Sequence, residues 1–408
     1  MKRPGPALLL SLVLLHGCLW GDDDEENLDI PLVKPEAGAT EKSAGAAAPP
    51  AADEKKARAK PAAKVDWRSL FKRPPGPRDK SALETAIKKW RAESAPASLL
   101  KIARGEQAMG RLVAAETAYR ETIRQMPDDP VPNLELAQLY LKMNRLDEAF
   151  DYIARVRDLI GGAENPARVL RFQYRYTLAL GLLGRGEAKE GTAILSDLLE
   201  ADPTFSPAYQ ALGTAYLNQD RLKIAEFIGK RGLDRGGKDA ALITLLGVIA
   251  WRQGKATKAK KLFEKAMAAS PTFASPMINR ANLSIERGEY EEAELDLQRA
   301  ISLEPGNVEA RISLGILYRK TGKYNASQDV LNQAIRLNPE SAHARFNLAI
   351  LMDTAFRNPD EALRLLYEVL QVRESTRKLR TLARFHIDGL REHKSADPHQ
   401  LSAEDPED

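Results

Sequence analysis

The stretch Asn307-Val308-Glu309-Ala310-Arg311-Ile312-Ser313-Leu314-Gly315-Ile316-Leu317-Tyr318, followed at wider spacing by Tyr324, Ala334 and Pro339, decides the fold. Its apolar residues recur at helical spacing, and Gly315 leaves room in the middle of that face for another helix to come close. Pro339 stops the following segment, because proline cannot continue a helical hydrogen-bond ladder. The unit therefore reads as helix, turn, helix, stop. A single such pair cannot bury its own apolar face, so the sequence is expected to repeat it.

It does. Pro203, Gly237, Pro271, Pro305 and Pro339 stand 34 residues apart. A small residue keeps the same step at Ala179, Gly213, Gly247, Ala281, Gly315 and Ala349, preceded by Leu178, Leu212, Leu246, Arg280, Leu314 and Leu348. A second small column runs Gly191, Ala225, Ala259, Ala293, Ser327. Upstream, Ala103 and Ala137 are 34 apart, whereas Ala137 to Ala179 is 42, which places an eight-residue insertion near Gly162 to Arg171. The register gives eight units: 96–129, 130–163, 172–205, 206–239, 240–273, 274–307, 308–341 and 342–375.

These columns resemble the tetratricopeptide repeat, over about two thirds of the chain. The resemblance implies an all-α, right-handed superhelical α-solenoid whose first helices line a concave groove for an extended peptide or a partner helix. Projecting that face onto this chain selects Tyr176, Trp251, Ile278, Asn279, Asn282, Ile312, Arg319, Phe346 and Asn347. Asparagine amides can donate to and accept from a peptide backbone, and the apolar members offer side-chain pockets. Ordinary packing between repeats is the competing reading for each. Arg280 stands where other units carry leucine and is a further candidate for the groove. The lysine and asparagine arrangement with which chaperone-binding relatives clamp a C-terminal carboxylate is not recognisable.

Two departures from the pattern are informative. Gly229, Gly232, Gly236 and Gly237 crowd the second helix of unit 206–239, which lacks the usual proline. They are read either as a soft joint of the array or as places where helices approach closely. In the last unit, Arg357-Asn358-Pro359-Asp360 adds one residue to the turn and shifts Ala362 by one place.

The flanks carry different signals. Lys2 and Arg3 precede an apolar run from Ala7 to Leu15 that suits a secretory signal and is too short to span a bilayer. The run ends in Leu15-His16-Gly17-Cys18, which resembles the lipobox of bacterial lipoproteins, although His16 stands where a small residue is commoner. The resemblance implies cleavage after residue 17, acylation of Cys18 and, with Leu19 rather than an aspartate next, sorting to the outer membrane. Several acyl chains would anchor the chain stably where one would not. An ordinary cleaved signal with an incidental cysteine is the other reading. Residues 18–80 follow as a tether, Asp/Glu-rich and then Ala/Pro/Lys-rich, with too few apolar residues to offset the entropy of ordering. From Asp22 to Lys64 it would span on the order of 35 to 40 Å as a coil. Within it, Trp67, Leu70 and Phe71 are read as a docking motif or as a segment that packs on the protein's own first helices. A short helix is expected over 81–95, started by the Ser81 and Glu84 capping-box pair. After the repeats, Leu379, Leu382, Phe385, Ile387 and Leu390 mark an amphipathic capping helix within 376–394, before an acidic tail over 395–408.

The chain of 408 residues has a formal charge of +4, reduced to 4 − 2 = +2 if Lys2 and Arg3 leave with the signal, which is too little to imply nucleic acid. Cys18 is the only cysteine, so neither an intramolecular disulfide nor a cysteine metal site is possible. No Gly-rich phosphate loop, His-Glu-x-x-His or Gly-x-Ser-x-Gly motif occurs. His343, His386, His393 and His399 have no metal-ligand spacing and are read as surface or packing residues. Paired carboxylates such as Glu291-Glu292 are read as solvated faces. No cofactor, metal or small-molecule substrate is expected, and no enzymatic activity. The sequence reads as a non-enzymatic, lipid-anchored, periplasm-facing scaffold that binds envelope proteins, in assembly of a motility, pilus or secretion complex. A periplasmic chaperone for unfolded clients and an adaptor of peptidoglycan enzymes are the alternatives.

Overall fold

A computed structural model describes residues 80–93, 96–162, 168–372 and 375–395. The expected signal, Cys18, the tether with its Trp67 segment, and the acidic tail beyond residue 395 lie outside them. Among the described residues there are 18 helices and no strand. The protein is an all-α solenoid.

The repeats fall into helix pairs on the register read from the sequence. They are α2 (Pro96–Ala108) with α3 (Leu112–Gln125), α4 (Pro130–Lys142) with α5 (Leu146–Gly161), α6 (Arg168–Arg185) with α7 (Ala188–Ala201), and α8 (Ser206–Asn218) with α9 (Leu222–Gly236). Then follow α10 (Ala240–Arg252) with α11 (Ala256–Ala269), α12 (Ala274–Arg287) with α13 (Tyr290–Leu303), α14 (Val308–Lys320) with α15 (Tyr324–Leu337), and α16 (Ala342–Thr354) with α17 (Pro359–Gln371). Ahead of them lies α1 (Lys80–Glu93) and behind them α18 (Arg377–Ser395). Each helix packs on the one before and after it, and first helices also touch the first helix of the next pair. Part of the eight-residue insertion is spent on α6, which begins at Arg168 and runs for 18 residues.

The small columns are where helices approach. A Cβ on Gly315 would meet the Leu331 side chain at 2.7 Å, and one on Gly247 would meet the Phe263 ring at 2.5 Å. Where the second small column carries serine, Ser327 Oγ donates to the Gly315 carbonyl oxygen at 2.7 Å, closing the buried crossing. The prolines act as stops: α7, α11, α13 and α15 each end two residues before Pro203, Pro271, Pro305 and Pro339. Gly237 replaces the proline by turning the chain at φ +82°. Of the two readings of the glycine-rich α9, close approach fits Gly229 and Gly232, where a Cβ would meet Leu246 at 2.9 Å and Leu242 at 2.7 Å. Four first helices are capped by side chains at one register position: Asp129 accepts from the Val131 amide, Asp239 from the Ala241 and Leu242 amides, Asn307 from Ala310 and Ser341 from Ala344.

Within each pair the chain turns through one residue of positive φ. Gly110, Gly186, Gly254, Gly288 and Gly322 occupy this column, with Asn144 and Asp220 in two pairs. In the last pair the extra turn residue shifts the position to Arg357, at φ 51°. Arginine lacks the short polar side chain that eases asparagine and aspartate into this region. Arg357→Gly is therefore expected to raise stability by about 0.5–1 kcal/mol in urea unfolding, the relief of strain less the entropy glycine loses on folding.

The open ends of the stack are covered. At the first, Ile87 of α1 is buried with Ile102 and Met109. At the last, α18 buries Leu379, Ala383, Ile387 and Leu390. Phe385, expected on this face, is 73% exposed instead, because it stands two residues before Ile387 and so points away from the buried stripe. His386 packs edge-on to Phe346, ring centroids 5.5 Å apart, and burial lowers its pKa from the ordinary histidine value against the pull of Asp353. A depressed histidine pKa adds stability above the ordinary value, and that stability is lost as pH falls through the depressed value. The hydrogen-exchange protection factors of α18, corrected for the intrinsic rate at each pH, are thus expected to fall on acidification through this range, and His386→Phe to flatten the dependence.

The array also curves back on itself. The turn at Met109–Gly110 lies against Gly306, which joins α13 to α14: a Cβ on either glycine would fall 2.0 Å from the other's Cα. The first and sixth repeats meet edge to edge.

Candidate partner-binding face

The first helices place Tyr176, Ile278, Ile312 and Phe346 in one register column, and the column splits by burial. Ile278, Ile312 and Phe346 are buried, with Phe346 only 2% exposed under α18. They belong to apolar clusters within the stack, so packing claims them. Tyr176 is half-buried, its ring edge-on to Phe205 with centroids 5.3 Å apart. The asparagines are also occupied or enclosed. Asn279 Nδ2 donates to the Ser275 carbonyl and Asn347 Nδ2 to the His343 carbonyl, both at 2.9 Å and one turn back in the same helix. Asn282 is 1% exposed, and neither amide atom of its side chain has a hydrogen-bond partner.

What remains accessible is a row near the ends of α10, α12 and α14. Trp251 Nε1 donates to Glu286 Oε2 at 2.7 Å. Lys320 stands 34 residues after Glu286, in the same column, and its charge opposes the upward push that burial exerts on the Glu286 carboxyl. Arg319, half-buried beside it, has no ion pair among the described residues, and burial lowers its pKa from the ordinary value. This row presents an indole, a carboxylate and two cations within three successive repeats. Its exposed members Glu286 and Lys320 were not singled out from sequence; their shared register position was the available signal.

Arg280 does not face the groove. Its Nε and Nη2 donate to the two carboxylate oxygens of Asp296 on α13, both at 2.7 Å, with Asp296 only 4% exposed. Other repeats carry Leu246, Leu314 or Leu348 at the first position and Ile228, Leu262 or Val330 at the second. A buried ion pair thus replaces an apolar pair at one crossing. Removing one partner strands a buried charge, at a cost of about 3–5 kcal/mol, whereas an apolar pair of similar volume is often neutral or stabilising. Arg280→Leu is expected to lower stability by that amount, and Arg280→Leu with Asp296→Val to restore or exceed wild-type stability in chemical unfolding.

Among the described residues, no group of histidine, cysteine, aspartate or glutamate could hold a metal ion, and no helix is long and apolar enough to cross a membrane. A cavity of about 440 Å³ opens between α15, α16 and α17, lined by Asn332, Arg345, Asn358, Arg364 and Glu368 among others. Arg345 Nε pairs with Glu368 at 3.0 Å while its Nη1 is buried without a partner. None of the nine residues projected from sequence lines this cavity. The lengthened turn at Arg357-Asn358 was the one sequence irregularity near it.

With this geometry in view, residues 107–160, 286–349 and 244–308 match family models of the tetratricopeptide repeat. These stretches carry tetratricopeptide repeats. The chain is 25% identical over 211 residues to the TPR repeat-containing protein YpiA of Bacillus subtilis (strain 168), a match covering 44% of this chain and 49% of that protein. The chain thus spans about half the length of that relative. Among solved structures it is similar to the human IFIT1 dimer with PPP-AAAA, at TM-score 0.50 and 16% identity, covering 78% of each chain. It is also similar to yeast Tom70, at TM-score 0.48 and 17% identity, covering 78% of this chain and 67% of that one. The similarity to IFIT1 supports the fold alone.

Proposed function

We propose that the protein is a non-enzymatic scaffold of the bacterial cell envelope, held to a membrane through a lipidated Cys18, that recruits envelope proteins through the concave side of its repeats. The observation that carries the recruiting role is the row Trp251, Glu286, Arg319 and Lys320. It offers an indole edge and unneutralised charge on a face otherwise consumed by packing. An extended segment laid along it would gain hydrogen bonds to its backbone and a charge pair for an acidic side chain. The solenoid itself supplies the rigid frame, since each helix pair is locked to its neighbours.

The envelope assignment rests on the sequence pattern at residues 1–18 alone. Outer-membrane attachment facing the periplasm, and a place in a motility, pilus or secretion assembly, follow from the resemblance to lipoproteins bearing such repeats.

In cells, metabolic labelling with an alkyne fatty acid is expected to mark the wild type and not Cys18→Ser, and only the wild type should fractionate with membranes. Crosslinking followed by affinity capture is expected to recover one or two dominant partners, lost with Trp251→Ala, Arg319→Ala and Lys320→Ala combined. An unlabelled wild-type chain would sink the anchor. Partners retained by the triple variant would sink the assigned face, and a broad client list would favour the chaperone.

A further inference from the structure

The six other inter-repeat turns matched to Gly306 carry side chains in five cases: Asp128, Thr204, Lys238, Thr272 and Glu340, with Gly162 beside the insertion as the sixth. Gly306 itself has no positive φ, so its own turn gives no reason for glycine. The reason lies in the first repeat. Gly110 Cα and the Met109 carbonyl occupy the space a Cβ would need, at 2.0 and 2.7 Å. Gly110, in turn, is fixed at φ +74° by its own tight turn and cannot swing away without cost. Two turns from opposite edges of the solenoid therefore meet backbone to backbone, and only because neither has a side chain.

We propose that Gly110 and Gly306 form a clasp that closes the solenoid into a single compact turn, holding the first two repeats against the junction of the sixth and seventh.

A second group stands at the same junction. Glu309, in the first turn of α14, is drawn between Lys142 at the end of α4 in the second repeat and Glu304 in its own turn. Burial, helped by Glu304 and opposed by Lys142, pushes its carboxyl up to about 7. Lys142 can act on Glu309 only across the closed contact, so the neighbourhood of this carboxylate reports closure independently of the glycines. Glu304, Lys142 and Glu309 are the charged groups facing one another here. The clasp is a device for opening the array from one end, at the cost of parting two turns rather than unfolding a repeat.

The test uses the full chain with Cys18→Ser and spin labels on Ala108→Cys and Ser302→Cys, both exposed positions flanking the clasp. Double electron–electron resonance is expected to show one narrow, short distance. Gly306→Thr installs the residue that Thr204 and Thr272 already place in equivalent turns. It should leave helix content unchanged and shift the distribution to longer, broader distances. Glu340→Thr, the same residue at a matched turn away from the clasp, should leave the distribution where it was. A distance that Gly306→Thr leaves in place with the fold intact would overturn the clasp, as would a broad distribution in the wild type. These readouts do not depend on any partner, so they fail or succeed separately from the proposed scaffold role.

Discussion

The structure depends on how closely one helix can approach another at the small columns. At Gly315 the crossing leaves no room for a methyl group, and the Leu331 side chain fills the space a Cβ would take. Ser327 donates to the Gly315 carbonyl across the same crossing, so the polar atom that serine brings is satisfied where it is buried. Everything else in the repeat follows from that approach. Two helices held so close leave a stripe of Leu and Ile that only the next pair can cover, and the array grows until α1 and α18 cover its ends.

The same constraint explains why most of the concave column is unavailable to a partner. Ile278, Ile312 and Phe346 point toward the groove by periodicity, yet the neighbouring helix or α18 reaches them first. Side chains nearer the helix ends escape: Trp251 and Arg319 stay partly open, and Glu286 and Lys320 are exposed. At one crossing the apolar rule is suspended, and Arg280 with Asp296 does the work of leucine with valine. Such a pair is a poor source of stability but a strict one for register, since any misalignment leaves charge buried and unpaired.

Curvature adds a second level of organisation. Each helix pair adds a small rotation to the stack, and the sum over six repeats brings Gly110 to Gly306. No single repeat contains that information. The arrangement makes the two edges of the solenoid into a contact surface for each other, while the face between them keeps the unpartnered amide of Asn282 and the desolvated guanidinium of Arg319.

The sequence by itself determined the helices, their pairing and their stops. Those are local consequences of the 34-residue columns: Pro203, Pro271, Pro305 and Pro339 end helices two residues ahead of themselves, and the turn residues keep the register until the inserted residue of the last pair moves the turn to Arg357. Close approach at Gly229 and Gly232 was also legible, as one of two readings. Tertiary structure alone decided which groove residues stay open, that Phe385 faces solvent, that Arg280 turns inward to Asp296, and that Gly306 is glycine for the sake of a distant turn. The physical reason is the same in each case. Periodicity assigns a side chain to a face, but burial depends on what the sum of many small rotations brings against that face, and no local pattern records that sum.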